Sequence, residues 1–175
     1  LSLRRQRQMC IRDRSTIEQA DGGHFFIGTG SGLFCVGIEK GELKQIPDEV
    51  VKSIVTPVHE LYYHTVSKQL FVGSYKERIL IYDIGKTQKI TPCYAPNNVE
   101  VNQIVALNAD ELLIATGGKG VYKLNVNTCK SEPYITADYS SYNGMNGNNI
   151  NDIYVDEEER IWLCLLYTSP SPRDV

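Results

Sequence analysis

The apolar residues of this chain fall in short runs of Val, Ile, Leu, Phe and Tyr, separated by clusters of Gly, Asn, Asp and Pro. Short runs bounded by turn formers predict strands. The alternation of apolar and polar positions is clearest from Val101 to Leu107 and from Ile150 to Val155, as expected of strands with one buried face. No stretch of about ten residues holds a 3.6-residue apolar period. The nearest candidate, Asp48 to Val55, is soon closed by Pro57. The predicted class is all-β.

The runs also repeat. Phe25 to Thr29 (FFIGT) returns as Leu70 to Ser74 (LFVGS), as Leu112 to Thr116 (LLIAT) and, cut short, as Ile161 to Leu163 (IWL). Aligning Phe26, Phe71, Leu113 and Trp162 gives spacings of 45, 42 and 49 residues. A polar turn precedes each anchor strand: Asp21 to Gly23, Ser67 to Gln69, Asn108 to Asp110 and Asp156 to Glu159. Small-residue hairpins follow at Gly30 to Gly32 and Gly117 to Gly120. A third strand comes next (Leu33 to Val36, Ile79 to Ile84, Val121 to Val126), then a more variable fourth near Leu43 to Ile46, Gln88 to Ile90 and Glu132 to Thr136.

Four-stranded repeats of this length predict β-propeller blades. The expected architecture is a partial propeller of three four-stranded blades, about 15–47, 51–94 and 99–136, plus the start of a fourth at 148–163. In this reading the anchors Phe26, Phe71, Leu113 and Trp162 pack between neighbouring blades, and small residues such as Gly28 and Gly73 let the backbone turn tightly after them. A blade alone cannot bury both of its faces. A seven-bladed ring at about 45 residues per blade needs roughly 300 residues, so an open arc is expected, poorly soluble or partly unfolded in isolation because its end faces are uncapped.

Asp21 to Leu33 (DGGHFFIGTGSGL), Ile150 to Asp156 (INDIYVD) and Ile161 to Leu163 together resemble the two-component regulator propeller repeat, roughly N-x-I-x-x-I-x-x-D-x-x-G-x-L-W-I-G-T-x-x-G-L. The resemblance is strong in the first and last copies and looser in the middle two, where Phe71 and Leu113 stand in place of Trp. After Leu163 the family pattern continues Gly-Thr, whereas this chain has Cys164-Leu165. The resemblance implies part of the extracytoplasmic, periplasmic sensor region of a hybrid two-component regulator, a propeller that recognises a ligand and signals to a histidine kinase beyond a membrane helix. Carbohydrate breakdown products are the implied ligands. The membrane would be reached only through parts of a parent chain, which the resemblance allows to be a homodimer. Neither a kinase nor a membrane-spanning run occurs in these 175 residues, so no catalysis is expected of them. A carbohydrate-active propeller enzyme and a protein-interaction propeller are the alternatives; the latter predicts Trp-Asp pairs, which this sequence lacks, and Gly-His dipeptides, of which it has one, Gly23-His24.

Composition changes the picture mainly at the ends. The whole chain has 18 basic and 21 acidic residues, a net charge of −3, with 42% hydrophobic residues. That balance argues against a nucleic-acid partner, which normally meets a clustered basic face. Five of the basic residues, Arg4, Arg5, Arg7, Arg12 and Arg14, crowd the first fourteen positions. Residues 4–13 and 164–174 can be reverse-translated into the two adaptors of transposase-made sequencing libraries, in opposite orientations. Residues 1–14 and 164–175 are therefore expected to be adaptor-derived and to lack stable packing. The intervening 149 residues carry 12 basic and 19 acidic side chains, a net charge of −7. Their cysteines, Cys35, Cys93 and Cys129, have no metal-like spacing and an odd count, so buried thiols are expected rather than disulfides.

Few motifs suggest chemistry. Gly28 to Gly32 and Gly117 to Gly120 resemble phosphate loops, but both lead into predicted strands, and a phosphate loop needs a following helix. They are read as hairpins. His24, His59 and His64 share no spacing that would gather metal ligands, and Asp156 to Glu159 lacks a calcium-loop pattern. No catalytic residue, metal or cofactor is expected. The long polar connection Asp138 to Asn149 is the candidate recognition segment. Its Tyr139, Tyr142, Asn143 and Asn146 offer aromatic faces and amides suited to a small-molecule or oligosaccharide ligand. The competing reading is a plain interblade bridge whose Asn and Gly satisfy turns.

Overall fold

Alternating runs and polar turns become fourteen strands in the computed structural model, which describes residues 16–39, 42–45, 49–74, 79–84, 86–93, 99–138, 140, 145 and 147–165. The first sheet holds β1 (Thr16–Ala20), β2 (His24–Thr29), β3 (Gly32–Glu39) and β4 (Glu42–Gln45). The second holds β5 (Val58–His64), β6 (Gln69–Ser74), β7 (Leu80–Asp83) and β8 (Ile90–Pro92). The third holds β9 (Val101–Ala106), β10 (Glu111–Thr116), β11 (Gly120–Asn125) and β12 (Ser131–Ile135), and the last is the pair β13 (Ile150–Val155) and β14 (Ile161–Leu165). Every sheet is an antiparallel meander in chain order. The run before Pro57 forms a single helical turn, Glu49–Lys52, with Val51 buried.

The sheets fan out from one edge. The first strand of each blade lies against the first strand of the next, β1 with β5, β5 with β9 and β9 with β13. Among the described residues no comparable contact joins the fourth strands, so the blades diverge outward, as propeller blades do.

Strand periodicity sends alternate side chains to opposite faces, and each interior face meets a neighbouring blade. Phe26 packs with Leu70 and Val72 between blades one and two. Phe71 packs with Leu112 and Ile114 between blades two and three, and Leu113 with Ile153 and Leu163 between blades three and four. Phe26, Phe71 and Leu113 are at most 2% exposed, so each anchor faces the blade that follows it. Each fully buried side chain of this size contributes about 1.5–3 kcal/mol.

Three expectations are corrected. Trp162, the fourth anchor, is 58% exposed rather than packed, because its face points away from the third blade. Gly28 and Gly73 are not turn residues. They lie within β2 and β6, where an added Cβ would fall 2.6 Å from Val58 Cγ1 and 2.7 Å from Val101 Cγ1, so they are small because the next blade's first strand passes over them. Finally, β14 does not stop at Leu163: Cys164 pairs with Asp152 and Leu165 with Ile150, and Leu165 packs against the last core cluster. Alternation is preserved across the junction, Leu163 and Leu165 inward and Cys164 outward, which is all a strand requires of two further residues.

Among the described cysteines, Cys35 and Cys93 are buried thiols, as expected, and Cys129 is partly buried.

Candidate functional site

The β2–β3 and β10–β11 hairpins and the interblade connections gather at one end of the arc. The two glycine-rich segments are hairpins, with the same wiring in both. Thr29 Oγ1 donates to Gly32 O at 3.0 Å and accepts from Ser31 N at 3.1 Å. Thr116 Oγ1 donates to Gly120 O at 2.6 Å and accepts from Lys119 N at 3.1 Å. Gly120 has φ +79°, and a Cβ there would sit 2.3 Å from Ile135 O, so only glycine fits.

The predicted recognition residues Tyr139, Tyr142, Asn143 and Asn146 lie outside the described residues. The ends of their connection are pinned to this end of the arc. Asn148 Oδ1 accepts from Ala137 N at 2.7 Å, and Asn148 O accepts from Gly118 N at 3.1 Å and Gly120 N at 2.7 Å. Asn149 bridges to Gly117, and Asp138 N donates to Met145 O at 3.2 Å. The connection is thus clamped onto the β10–β11 hairpin by an asparagine.

Beside this end runs a feature that the repeat alignment missed. In blades two, three and four the register of the first strand skips one residue, leaving His59, Asn102 and Asn151 as β-bulges at equivalent positions. Each follows an apolar residue and precedes a polar one: Val58-His59-Glu60, Val101-Asn102-Gln103 and Ile150-Asn151-Asp152. Two polar residues in succession interrupt the alternation, and that interruption was the available signal. Bulges re-aim side chains, and here they reach the next blade. Asn102 Nδ2 donates to Ile150 O at 2.7 Å, and His59 Nδ1 lies 3.6 Å from Glu100 Oε1.

The residue after each bulge stitches the blades together. Glu60 Oε1 accepts the backbone N–H of Ile104 at 3.4 Å, and Gln103 Oε1 accepts that of Ile153. In the first blade Glu18 Oε1 accepts from Tyr63 N at 2.9 Å. These acceptors, two carboxylates and one amide, form a partly buried polar line along the inner edge. Burial raises the Glu60 carboxyl to about 7 despite the Ile104 hydrogen bond, with the charges of Glu18 and Asp152 adding to the rise. Burial also raises Glu18, against the hydrogen bond from Tyr63. Tyr62 is raised by burial and then by the Glu18 charge.

Two other polar features are structural. A depression of about 410 Å³ on the third blade includes Lys123, which is already paired with Glu111 at 3.0 Å and Glu132 at 3.7 Å. Asp156 organises the last turn by accepting from Glu158 N, Arg160 N, Arg160 Nε and Trp162 Nε1 at 2.8–3.0 Å. Among the described residues, no group of three or more His, Cys, Asp or Glu is arranged to hold a metal ion, and no helix is long and apolar enough to cross a membrane.

Known proteins share the architecture. No protein-family model matches the chain, and no curated protein matches it. Among solved structures, the extracellular domain of a protein described as a hybrid two component system from B. thetaiotaomicron has a TM-score of 0.68 at 23% identity, over 86% of this chain and 20% of that one. A β-propeller domain from Myceliophteria thermophila has a TM-score of 0.56 at 13% identity, over 86% of this chain and 48% of its own. A structure described as a 6-phosphogluconolactonase from Bacteroides uniformis has a TM-score of 0.60 at 14% identity, over 89% and 50%. The fold is that of a β-propeller, three four-stranded blades and the start of a fourth. The chain spans about a fifth of the length of the first of these structures.

Proposed function

We propose that this chain is part of the ligand-sensing propeller of an extracytoplasmic, periplasmic sensor region in a membrane-bound hybrid two-component regulator, and that its ligand is a carbohydrate breakdown product. The observation that carries the reading is the likeness, over 86% of the chain, to the extracellular domain of a hybrid two component system. The repeat pattern around Asp21 to Leu33 and Ile150 to Leu163 supports it independently. In this reading the arc contributes binding and no catalysis, while a histidine kinase and a membrane helix belong to other parts of a parent chain.

The binding surface is the end of the arc where the Asp138 to Asn149 connection is clamped by Asn148. Tyr139 and Tyr142 supply aromatic faces for the CH faces of a sugar ring, and Asn143 and Asn146 supply directional amides for its hydroxyls. Isothermal titration of the chain with neutral oligosaccharides tests this, with Tyr139→Ala and Tyr142→Ala as comparators. Saturable binding weakened at least tenfold by either substitution is expected. Equal binding by both variants refutes the assigned surface, and a parent gene whose reading frame stops directly after its last propeller blade refutes the sensor reading.

A further inference from the structure

Two thiols meet between blades two and three, inside the arc and away from both of its end faces. Cys93 follows β8, the fourth strand of blade two, and Cys129 lies in the β11–β12 turn of blade three. Cys93 Sγ donates to Cys129 O at 3.1 Å. Cys93 is a fully buried member of the apolar cluster between these blades, and Cys129 packs against the same cluster from blade three.

Both backbones are held at this contact. Cys93 N donates to Ile79 O at 2.7 Å, and Cys129 N donates to Asn125 O at 2.9 Å. Asn125 Oδ1 also accepts from Asn127 N, Thr128 N and Thr128 Oγ1, which fixes the turn. The turn itself does not call for a thiol. In blade two the equivalent turn closes with Asp83 N donating to Lys89 O, as Asn125 N donates to Lys130 O in blade three. The residue before each lysine has a left-handed backbone, φ +50° at Gln88 and φ +54° at Cys129. Gln88 is exposed, whereas Cys129 is only partly so. A cysteine thus takes the place of an exposed glutamine at the point where the turn leans on a thiol of the preceding blade.

We propose that Cys93 and Cys129 are a redox pair, closed to an interblade disulfide by an oxidant that itself carries a disulfide. Exposure sets the order of events, since Cys129 can be reached from solvent and Cys93 cannot. The Cys129 thiolate attacks one sulfur of the oxidant, forming a mixed disulfide and expelling the first thiolate. The Cys93 thiolate then attacks Cys129 Sγ, forming the Cys93–Cys129 bond and expelling the second. Two electrons pass to the oxidant, and the two protons lost by the cysteines end on its two released thiols. The blades touch along their first strands, so this bond fastens them at a second place. The inference does not rest on ligand sensing, although an extracytoplasmic position would put the pair where disulfides persist.

The test exposes the full chain, folded and reduced, to oxidised glutathione. Remaining thiols are alkylated, and tryptic peptides are mapped by mass spectrometry without reduction. A species joining Ile90–Lys119 to Leu124–Lys130 within one chain should be the main product at either cysteine. Cys93→Ala should trap glutathione on Cys129, and Cys129→Ala should leave Cys93 without glutathione until the chain is unfolded. Far-UV circular dichroism checks that each variant keeps its β spectrum. Glutathione retained on Cys129 of the unmodified chain with no cross-link overturns the proposal, because the two sulfurs then do not meet in the fold. Absence of reaction at Cys129, a bond from Cys93 to Cys35, or a Cys93–Cys129 bond that forms only in urea overturns it equally. Glutathione on Cys93 in folded Cys129→Ala overturns the order of attack.

Discussion

Replacing Glu60 by Gln changes a charge at the blade two to blade three junction while keeping its hydrogen bond. Gln retains the Oε1 acceptor for Ile104 N–H, which is the stitch that Gln103 already makes to Ile153 one blade later. The carboxyl rises from 4.5 to about 7 in the folded chain, chiefly through burial. Below pH 4.5 it is protonated whether the chain is folded or not. Between 4.5 and 7 the folded state keeps a proton that the unfolded state releases, so stability falls as pH rises through this window and is level above it. At 1.36 kcal/mol per pKa unit, the buried charge costs about 3 kcal/mol at pH 8. Glu18, raised in the same direction, adds to the slope. Urea unfolding of Glu60→Gln should therefore match the unmodified chain near pH 4.5 and exceed it at pH 8. With a slope of about 2 kcal/mol/M, the pH 8 midpoint moves up by ~1.5 M. An unchanged pH dependence in Glu60→Gln, or a lower midpoint at pH 8, refutes the account of the inner polar edge.

Gly73→Val should lower stability by about 1–3 kcal/mol through overpacking against Val101, and Val101→Ala in the same chain should restore part of the loss in a chemical-denaturation cycle. Gly120→Ala should cost more than ~1 kcal/mol, because φ +79° and the Ile135 carbonyl both reject a Cβ; a smaller change in denaturation midpoint would count against that geometry. Asn148→Ala removes the acceptor for Ala137 N, so hydrogen exchange at Ala137 should speed up while the amides of β10 and β11 keep their protection. The hydrogen bonds from Trp162 and Arg160 hold Asp156 at about 2, so the contact persists above the unfolded value of 3.8 and is lost as pH falls through about 2. Fluorescence of Trp162, the single tryptophan, should change with that midpoint and lose the transition in Asp156→Asn; a midpoint near 4 would contradict the bond.

Much of the fold was legible in one dimension, because a blade is a local object. Its strands are neighbours in sequence, the β1–β2, β2–β3 and β10–β11 turns carry glycine where φ is positive, and its alternation names the faces. Phe26, Phe71 and Leu113 could be placed between blades from periodicity alone. The same pattern assigned Trp162 to an interface and placed Gly28 and Gly73 in a turn. Both errors concern what lies across a gap. A residue's own period says which face it occupies and says nothing of whether another sheet covers that face or how closely its strand approaches.

The candidate site divides in the same way. Composition and length singled out the Asp138 to Asn149 connection, and its glycines and asparagines indicated turns. That Asn148 locks it to the Gly117 to Gly120 hairpin depends on a contact across nearly thirty residues of chain. The line of Glu18, Glu60, Gln103 and Asp152 was visible only as polar residues in otherwise apolar strands. Its chemistry arises because successive first strands lie side by side, so a carboxylate of one blade meets an amide of the next in surroundings dry enough to raise its pKa. Strand, turn and repeat were therefore written in local sequence, where backbone sterics and period-two burial act. Interblade closeness and the shifted carboxylate were decided by the tertiary arrangement, since burial and desolvation depend on which blade stands opposite.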